Sequence, residues 1–216
     1  MKQKKEVKKN NFSIKENKKM IILYIATCLF ILLTILTLTN IISPVDSLIE
    51  SFVIGIRNDK LTTFMITITN LSRAYFLISV SIILLFILKN KKTALLIIIN
   101  LVVVFLSSQL FKFIFHRTRP DGEHIVSVLG YSYPSGHAMV SMAYFGFILY
   151  LINKKIPKKI DRIILTIITS IMIFLIGFSR IYLGVHYASD VFAGFLLASA
   201  YLVIFLTIIS NNEVKE

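Results

Sequence analysis

Apolar runs of membrane-spanning length alternate with short polar islands along this chain. The first run covers residues 20–42, and at about 1.5 Å of rise per residue its 23 positions exceed the roughly 30 Å hydrocarbon core of a bilayer. It is too long for a secretion-signal core, and no small-residue cleavage pattern follows it, so it reads as a retained first span. Residues 43–60 mix Pro44, Asp46, Glu50, Arg57 and Asp59 with apolar groups, which predicts a short interfacial helix and turn at the far end of the bundle. Residues 61–88 are long enough to cross, yet Asn70, Ser72 and Arg73 interrupt them, so a tilted or bent second span is expected. Four more spans follow at 93–111, 135–152, 163–178 and 186–210.

Composition agrees with that pattern: 56% of the 216 residues are hydrophobic and only 16% are charged, the balance of an integral membrane protein. The predicted fold is all-α, a polytopic six-transmembrane-helix bundle. A net charge of +13 could suggest nucleic acid, but the basic residues sit in short runs between apolar stretches, so nucleic-acid binding is not expected. Residues 1–19 carry +6, residues 89–92 carry +3, residues 153–162 carry +4 and residues 211–216 carry −1, which places +12 of the +13 at one end. By the positive-inside rule both termini are cytoplasmic and the remaining polar islands face outward. The expected organisation is a basic cytoplasmic arm (1–19) on anionic headgroups, a membrane domain (20–210) and a short cytoplasmic tail (211–216). The single Cys28 excludes an internal disulfide and is expected to be a small buried apolar residue.

Three far-side islands carry the candidate chemistry. In the first, Lys112 and Arg119 are seven residues apart and would share a face if the third helix continued that far, with Pro120 ending it. Lys112 alone could be a headgroup anchor, whereas Arg119 offers a planar fork suited to phosphoryl oxygens. In the second, Pro134-Ser135-Gly136-His137 opens a helix: Ser135 is a candidate N-cap, Gly136 leaves room for an anion at the first turn, and His137 can exchange a proton. In the third, His186 and Asp190 stand at i and i+4 beside Arg180, so that Asp190 can hold one ring nitrogen and leave the other nucleophilic. A metal pair is the lesser reading of His186 and Asp190, because the chain has four histidines and their partners are cationic; no metal or other cofactor is expected. Arg73 either touches a substrate headgroup or serves as a snorkelling or ion-paired structural group. His116, Arg117 and His124 read as solvated loop groups.

Taken together, the three blocks resemble the type 2 phosphatidic acid phosphatase family: Lys112 with Arg119-Pro120, then Pro134 to His137, then Ser179-Arg180 with His186 and Asp190. The resemblance implies a membrane lipid phosphatase in which Lys112, Arg119, Arg180, Ser135 and Gly136 hold the phosphoryl group. It also implies that His186 attacks phosphorus, Asp190 orients His186, and His137 protonates the leaving oxygen. The substrate it implies is a polyprenyl pyrophosphate or a phospholipid taken from membrane lipids, with undecaprenyl pyrophosphate first and phosphatidylglycerophosphate or phosphatidic acid as alternatives; no protein partner follows. A soluble vanadate-dependent haloperoxidase shares the phosphate motif but would not carry six spans. A non-enzymatic phospholipid-binding or transport protein would use the same cations, yet would have no need for the His137, His186 and Asp190 set.

Overall fold

The structure is a computed structural model that describes the backbone of residues 2–213 and the side chains of residues 17–210. Eight helices follow one another: α1 (Lys2–Leu38), α2 (Ser43–Gly55), α3 (Asp59–Asn70), α4 (Ala74–Ile87), α5 (Lys91–Phe115), α6 (Gly136–Lys155), α7 (Lys159–Tyr182) and α8 (Ala188–Glu213). Among the described residues, five helices are long and apolar enough to cross a membrane, and α3 with α4, bent by 49° at their junction, passes the same test when taken as one span. Five to six candidate spans agree with the expected bundle, and the expected bend in the second falls at the interruption around Asn70 to Arg73. The expected headgroup contact of the basic arm, and the tail 211–216, fall outside the described side chains, apart from the last residues of the arm.

Polar residues set the helix starts. Asn58 accepts from Leu61 N at 3.0 Å to begin α3, Asn90 accepts from Thr93 N at 3.2 Å to begin α5, and Pro44 sits in the first turn of α2. α6 and α8 lie at the middle of the bundle, with α5 and α7 against α6 and α1 against α8. Where they meet the side chains are small: Ala94, Ala138, Ala143, Ala193 and Ala198 are all buried. Lipid is as apolar as a protein core, so helices associate through close packing and hydrogen bonds rather than by hiding large apolar groups. Two such bonds tie the bundle: Asn100 Nδ2 donates to Ala143 O at 3.0 Å between α5 and α6, and the Ser81 and Tyr144 hydroxyls meet at 3.0 Å between α4 and α6. Large apolar residues such as Leu32, Ile83, Phe86 and Ile168 point outward. Cys28 is exposed among them; its expected burial is wrong, because a hydropathy pattern does not say which face of a span turns inward.

Contacts at one end of the bundle gather α2, the 116–135 connection and the α7–α8 turn. Arg57 Nε donates to Tyr182 O at 3.0 Å, Ile125 N donates to Leu183 O at 3.1 Å, and Ser135 N donates to Asp190 O at 2.9 Å. Gly184 has a φ of +75°, and a Cβ there would run into Glu123 O, so the turn needs glycine. Gly194 lets α8 approach the start of α6: a Cβ would lie 2.8 Å from Ser135 O and 3.0 Å from the Ala138 Cβ.

Candidate active site

The three polar islands meet at that end. His186 lies in the turn before α8 and Asp190 in its first turn, not on a common helix face as expected, yet His186 Nδ1 and Asp190 Oδ2 are 3.3 Å apart. Asp190 is fully buried, and the same Oδ2 accepts from Tyr187 N at 2.9 Å and from the Ser132 hydroxyl in a short hydrogen bond. Ser132 Oγ also lies 3.2 Å from His186 Nδ1. Nε2 of His186, on the other side of the ring, accepts from Arg119 Nη1 at 3.4 Å. Burial above all, then the Lys112, Arg180 and Arg119 charges, push His186 well below its ordinary pKa. A neutral ring with one nitrogen fixed by a carboxylate and the other turned toward a cationic cavity has the arrangement that a nucleophile needs at neutral pH.

The cations arrive from three directions. Lys112 is in the last turn of α5 and donates to Tyr131 O at 2.6 Å and Ser132 O at 3.1 Å. That helix stops earlier than expected: His116 takes a left-handed conformation (φ 48°) with its N–H bonded to Lys112 O, which turns the chain away. Arg119 therefore enters from a loop, and neither a shared face with Lys112 nor termination by Pro120 is found. Its guanidinium is fixed by Gly130 O at 2.9 Å, Leu129 O at 3.0 Å and Val185 O at 2.7 Å. Arg180, in the last turn of α7, donates Nη1 to Thr69 Oγ1 at 2.8 Å, so the broken second span braces it.

Among the described residues five buried polar atoms lack a partner, Asn70 Oδ1 and Asn100 Oδ1 outside this cluster and three within it. Ser135 occupies the N-cap position of α6, but its hydroxyl caps nothing and is buried without a partner, as are His137 Nε2 and Arg180 Nε. Buried polar atoms are nearly always paired, and these belong to the residues read from sequence as a phosphoryl site. Arg73, Lys112, Arg119, Gly136, His137, Arg180 and His186 line one cavity of about 1070 Å³. Among the described residues no carboxylate lines it. The cavity continues along α4 and α5 between Ile78, Ile82, Ile98, Val102, Phe105 and Leu106, an apolar path on the lipid-facing side. Arg73, at the N-cap of α4, bonds through its backbone to Asn70 and Leu77, while its guanidinium has no hydrogen bond or ion pair among the described residues and lines the cavity; of the expected roles, headgroup contact and snorkelling fit that place and an ion pair does not. No group of three or more His, Cys, Asp or Glu among the described residues could hold a metal ion.

Sequence reasoning missed four residues here. Arg117, read as solvated, is only 15% exposed at its side chain and lies between Asp46 and Asp190. Burial opposes its charge, but the two carboxylates outweigh that and raise its pKa. Asp46, Ser132 and Ser189 are likewise buried partners of this group. No periodicity could reveal them, since their partners lie up to 143 residues away. His116 and His124 do stay exposed on the loop.

A family model described as the PAP2 superfamily matches residues 91–213. Phosphatidylglycerophosphatase B of Bacillus subtilis is 30% identical over 192 residues, 87% of this chain and 93% of that protein. Undecaprenyl-diphosphatase of Sulfolobus acidocaldarius is 30% identical over 162 residues, 72% of this chain and 74% of that protein. The crystal structure of a transmembrane PAP2 type phosphatidylglycerolphosphate phosphatase from Bacillus subtilis matches with a TM-score of 0.80 at 28% identity, covering 90% of this chain and 97% of the other. LpxE of Aquifex aeolicus shares the fold, with a TM-score of 0.60 at 24% identity over 74% of this chain and 93% of its own. A bundle of five to six candidate spans, a cation-lined cavity at one end and these matches lead to one conclusion: the chain belongs to the PAP2 superfamily and is a multi-pass membrane lipid phosphatase.

Proposed function

We propose that the protein removes the terminal phosphate from a lipid diphosphate, undecaprenyl pyrophosphate foremost, through a phosphohistidine on His186. In this reading the terminal phosphate binds between Lys112, Arg119 and Arg180 and takes hydrogen bonds from Ser135 and the backbone at Gly136. His186 Nε2 attacks phosphorus in line, and the bond from phosphorus to the bridging oxygen breaks. His137, starting as the imidazolium, gives that oxygen a proton and becomes a neutral base. A water then loses its proton to His137 and attacks the phosphohistidine, the P–N bond breaks, and inorganic phosphate departs. Asp190 keeps the proton on Nδ1 throughout. The lipid tail lies in the apolar path between α4 and α5.

The observation that carries the substrate class is the fourth cation: Arg73 lines the cavity without a protein partner. Arg73 is half-buried on the cavity wall and no carboxylate among the described residues lines that cavity, so an anion is the fitting neighbour. Three cations suffice for one phosphate, and a second phosphate gives Arg73 its counter-charge. Phosphatidylglycerophosphate, the second reading, is favoured by the Bacillus subtilis relative that covers most of both chains. It too carries two phosphates, but a glycerol separates them. Phosphatidic acid carries one.

Phosphate release from undecaprenyl pyrophosphate, phosphatidylglycerophosphate, diacylglycerol pyrophosphate and phosphatidic acid, measured on detergent-purified protein, tests this order. The diphosphates should give the highest kcat/KM, and a clear preference for phosphatidic acid would overturn it. The charge pattern further supports cytoplasmic termini and an outward-facing site. With Cys28→Ser as background, an impermeant thiol reagent on intact cells should label Ser127→Cys and not Lys155→Cys; the reverse pattern sinks the orientation.

A further inference from the structure

Behind His186 lies a charged group that the phosphate chemistry above does not use. The Arg117 guanidinium is shared between two buried carboxylates: Nη1 donates to Asp190 Oδ1 at 2.6 Å and Nη2 to Asp46 Oδ2 at 2.9 Å. Ser189 closes the group, accepting from Arg117 Nη1 at 2.7 Å while its own hydroxyl donates to Asp46 Oδ2 at 2.5 Å. Asp46 Oδ1 also accepts from Ser189 N at 2.9 Å, so a carboxylate from α2 caps the first turn of α8. The Tyr187 ring lies 4.1 Å from the guanidinium carbon and covers its face. Three chain segments distant in sequence are thereby fixed to one planar group.

The division of the Asp190 oxygens gives this arrangement its consequence. Oδ2 carries the Ser132, Tyr187 and His186 contacts, whereas Arg117 is the side-chain donor on Oδ1. A buried carboxylate stays charged only if its neighbours supply charge and hydrogen bonds, and its plane is fixed only if both oxygens are held. We propose that Arg117, braced by Asp46, is a positioning residue of the phosphatase: it keeps Asp190 ionised and in plane, so that His186 holds its proton on Nδ1 and directs Nε2 at phosphorus. This rests on the reading of His186 as the nucleophile. The bland alternative is a tie that merely fastens the 116–135 loop to α2.

Full-length Arg117→Gln, Arg117→Lys, Asp46→Asn and the Arg117→Gln/Asp46→Asn double variant separate the two, assayed on undecaprenyl pyrophosphate with thermal melting recorded in the same detergent. Arg117→Gln should lower kcat by about 10–100-fold with KM within about twofold, the size expected of a supporting partner, and should slow phosphoenzyme formation by the same factor in rapid quench. Arg117→Lys keeps one charge but cannot span both carboxylates, so it should recover part of the rate. Asp46→Asn leaves the Asp190 contact intact and should be milder than Arg117→Gln. Arg117→Gln alone leaves two buried carboxylates facing each other and Asp46→Asn relieves that, so the double variant should be no slower than Arg117→Gln. Should Arg117→Gln fail to fold, Asp46→Asn and Arg117→Lys carry the test, with kcat lowered and KM held in both. A kcat within twofold of the parent in the folded variants, a loss confined to KM, or losses that multiply in the double variant would overturn the proposal. A His186→Ala protein that still forms phosphoenzyme would instead overturn the nucleophile assignment on which it rests.

Discussion

Arg73→Gln removes one positive charge from the cavity wall and leaves Lys112, Arg119 and Arg180 in place. Two unit charges 4 Å apart interact by about 4 kcal/mol at an effective dielectric of 20. Arg73 is partly exposed on an open cavity, so screening reduces the useful part to about 1–2 kcal/mol, or about 5–30-fold in kcat/KM. That loss should fall only on substrates with a second phosphate beside the scissile one. Diacylglycerol pyrophosphate and phosphatidic acid share a tail and differ by that phosphate, so the pair isolates the effect. The variant should lose about 5–30-fold on the pyrophosphate and stay within about twofold on phosphatidic acid, while Arg73→Lys keeps most of the preference. Equal losses on both substrates would show that Arg73 serves the scissile phosphate or the fold, and the argument for a diphosphate from the fourth cation would be refuted.

Gly194→Val places side-chain atoms against Ser135 O and the Ala138 Cβ, so it should push α8 from the start of α6; overpacking of this kind costs about 1–3 kcal/mol, read as a lower melting temperature together with lost activity. An unchanged melting temperature with full activity would contradict that packing argument. His186 gives a pH signature. Its folded pKa lies well below the unfolded value of about 6.5, so between the two the unfolded chain binds a proton that the folded chain does not, and stability falls as pH falls. In melts from pH 7.5 to 5.5 the parent should lose more stability than His186→Gln; parallel curves would refute the neutral buried ring.

The crossings could be read from hydropathy, and the chemistry from three short motifs, because Lys112, Arg119, Ser135, His137, Arg180, His186 and Asp190 each sit in a recognisable local pattern. The structure brings all of them to one cavity or directly behind it. What the sequence did not reveal shares a physical cause. Lipid and helix interfaces are equally apolar, so the exposure of Cys28 leaves no mark in the pattern. The end of α5 at His116 uses a left-handed residue that is not glycine, the signal such an end would normally carry. Asp46, Arg117 and Ser132 are defined by contacts 54 to 143 residues away in the chain, and a charged residue in a polar loop resembles a solvated one until its partners are in place.

The proposed reaction turns on a covalent intermediate at His186. Rapid quench of the parent with lipid labelled in its terminal phosphate, worked up under conditions that preserve an acid-labile P–N bond, should trap label on His186. His186→Ala should trap none, and Asp190→Asn should trap it about 10²–10⁴-fold more slowly. Label on His137, or a normal phosphoenzyme yield in His186→Ala, would contradict the assignment even if both variants were inactive in steady state.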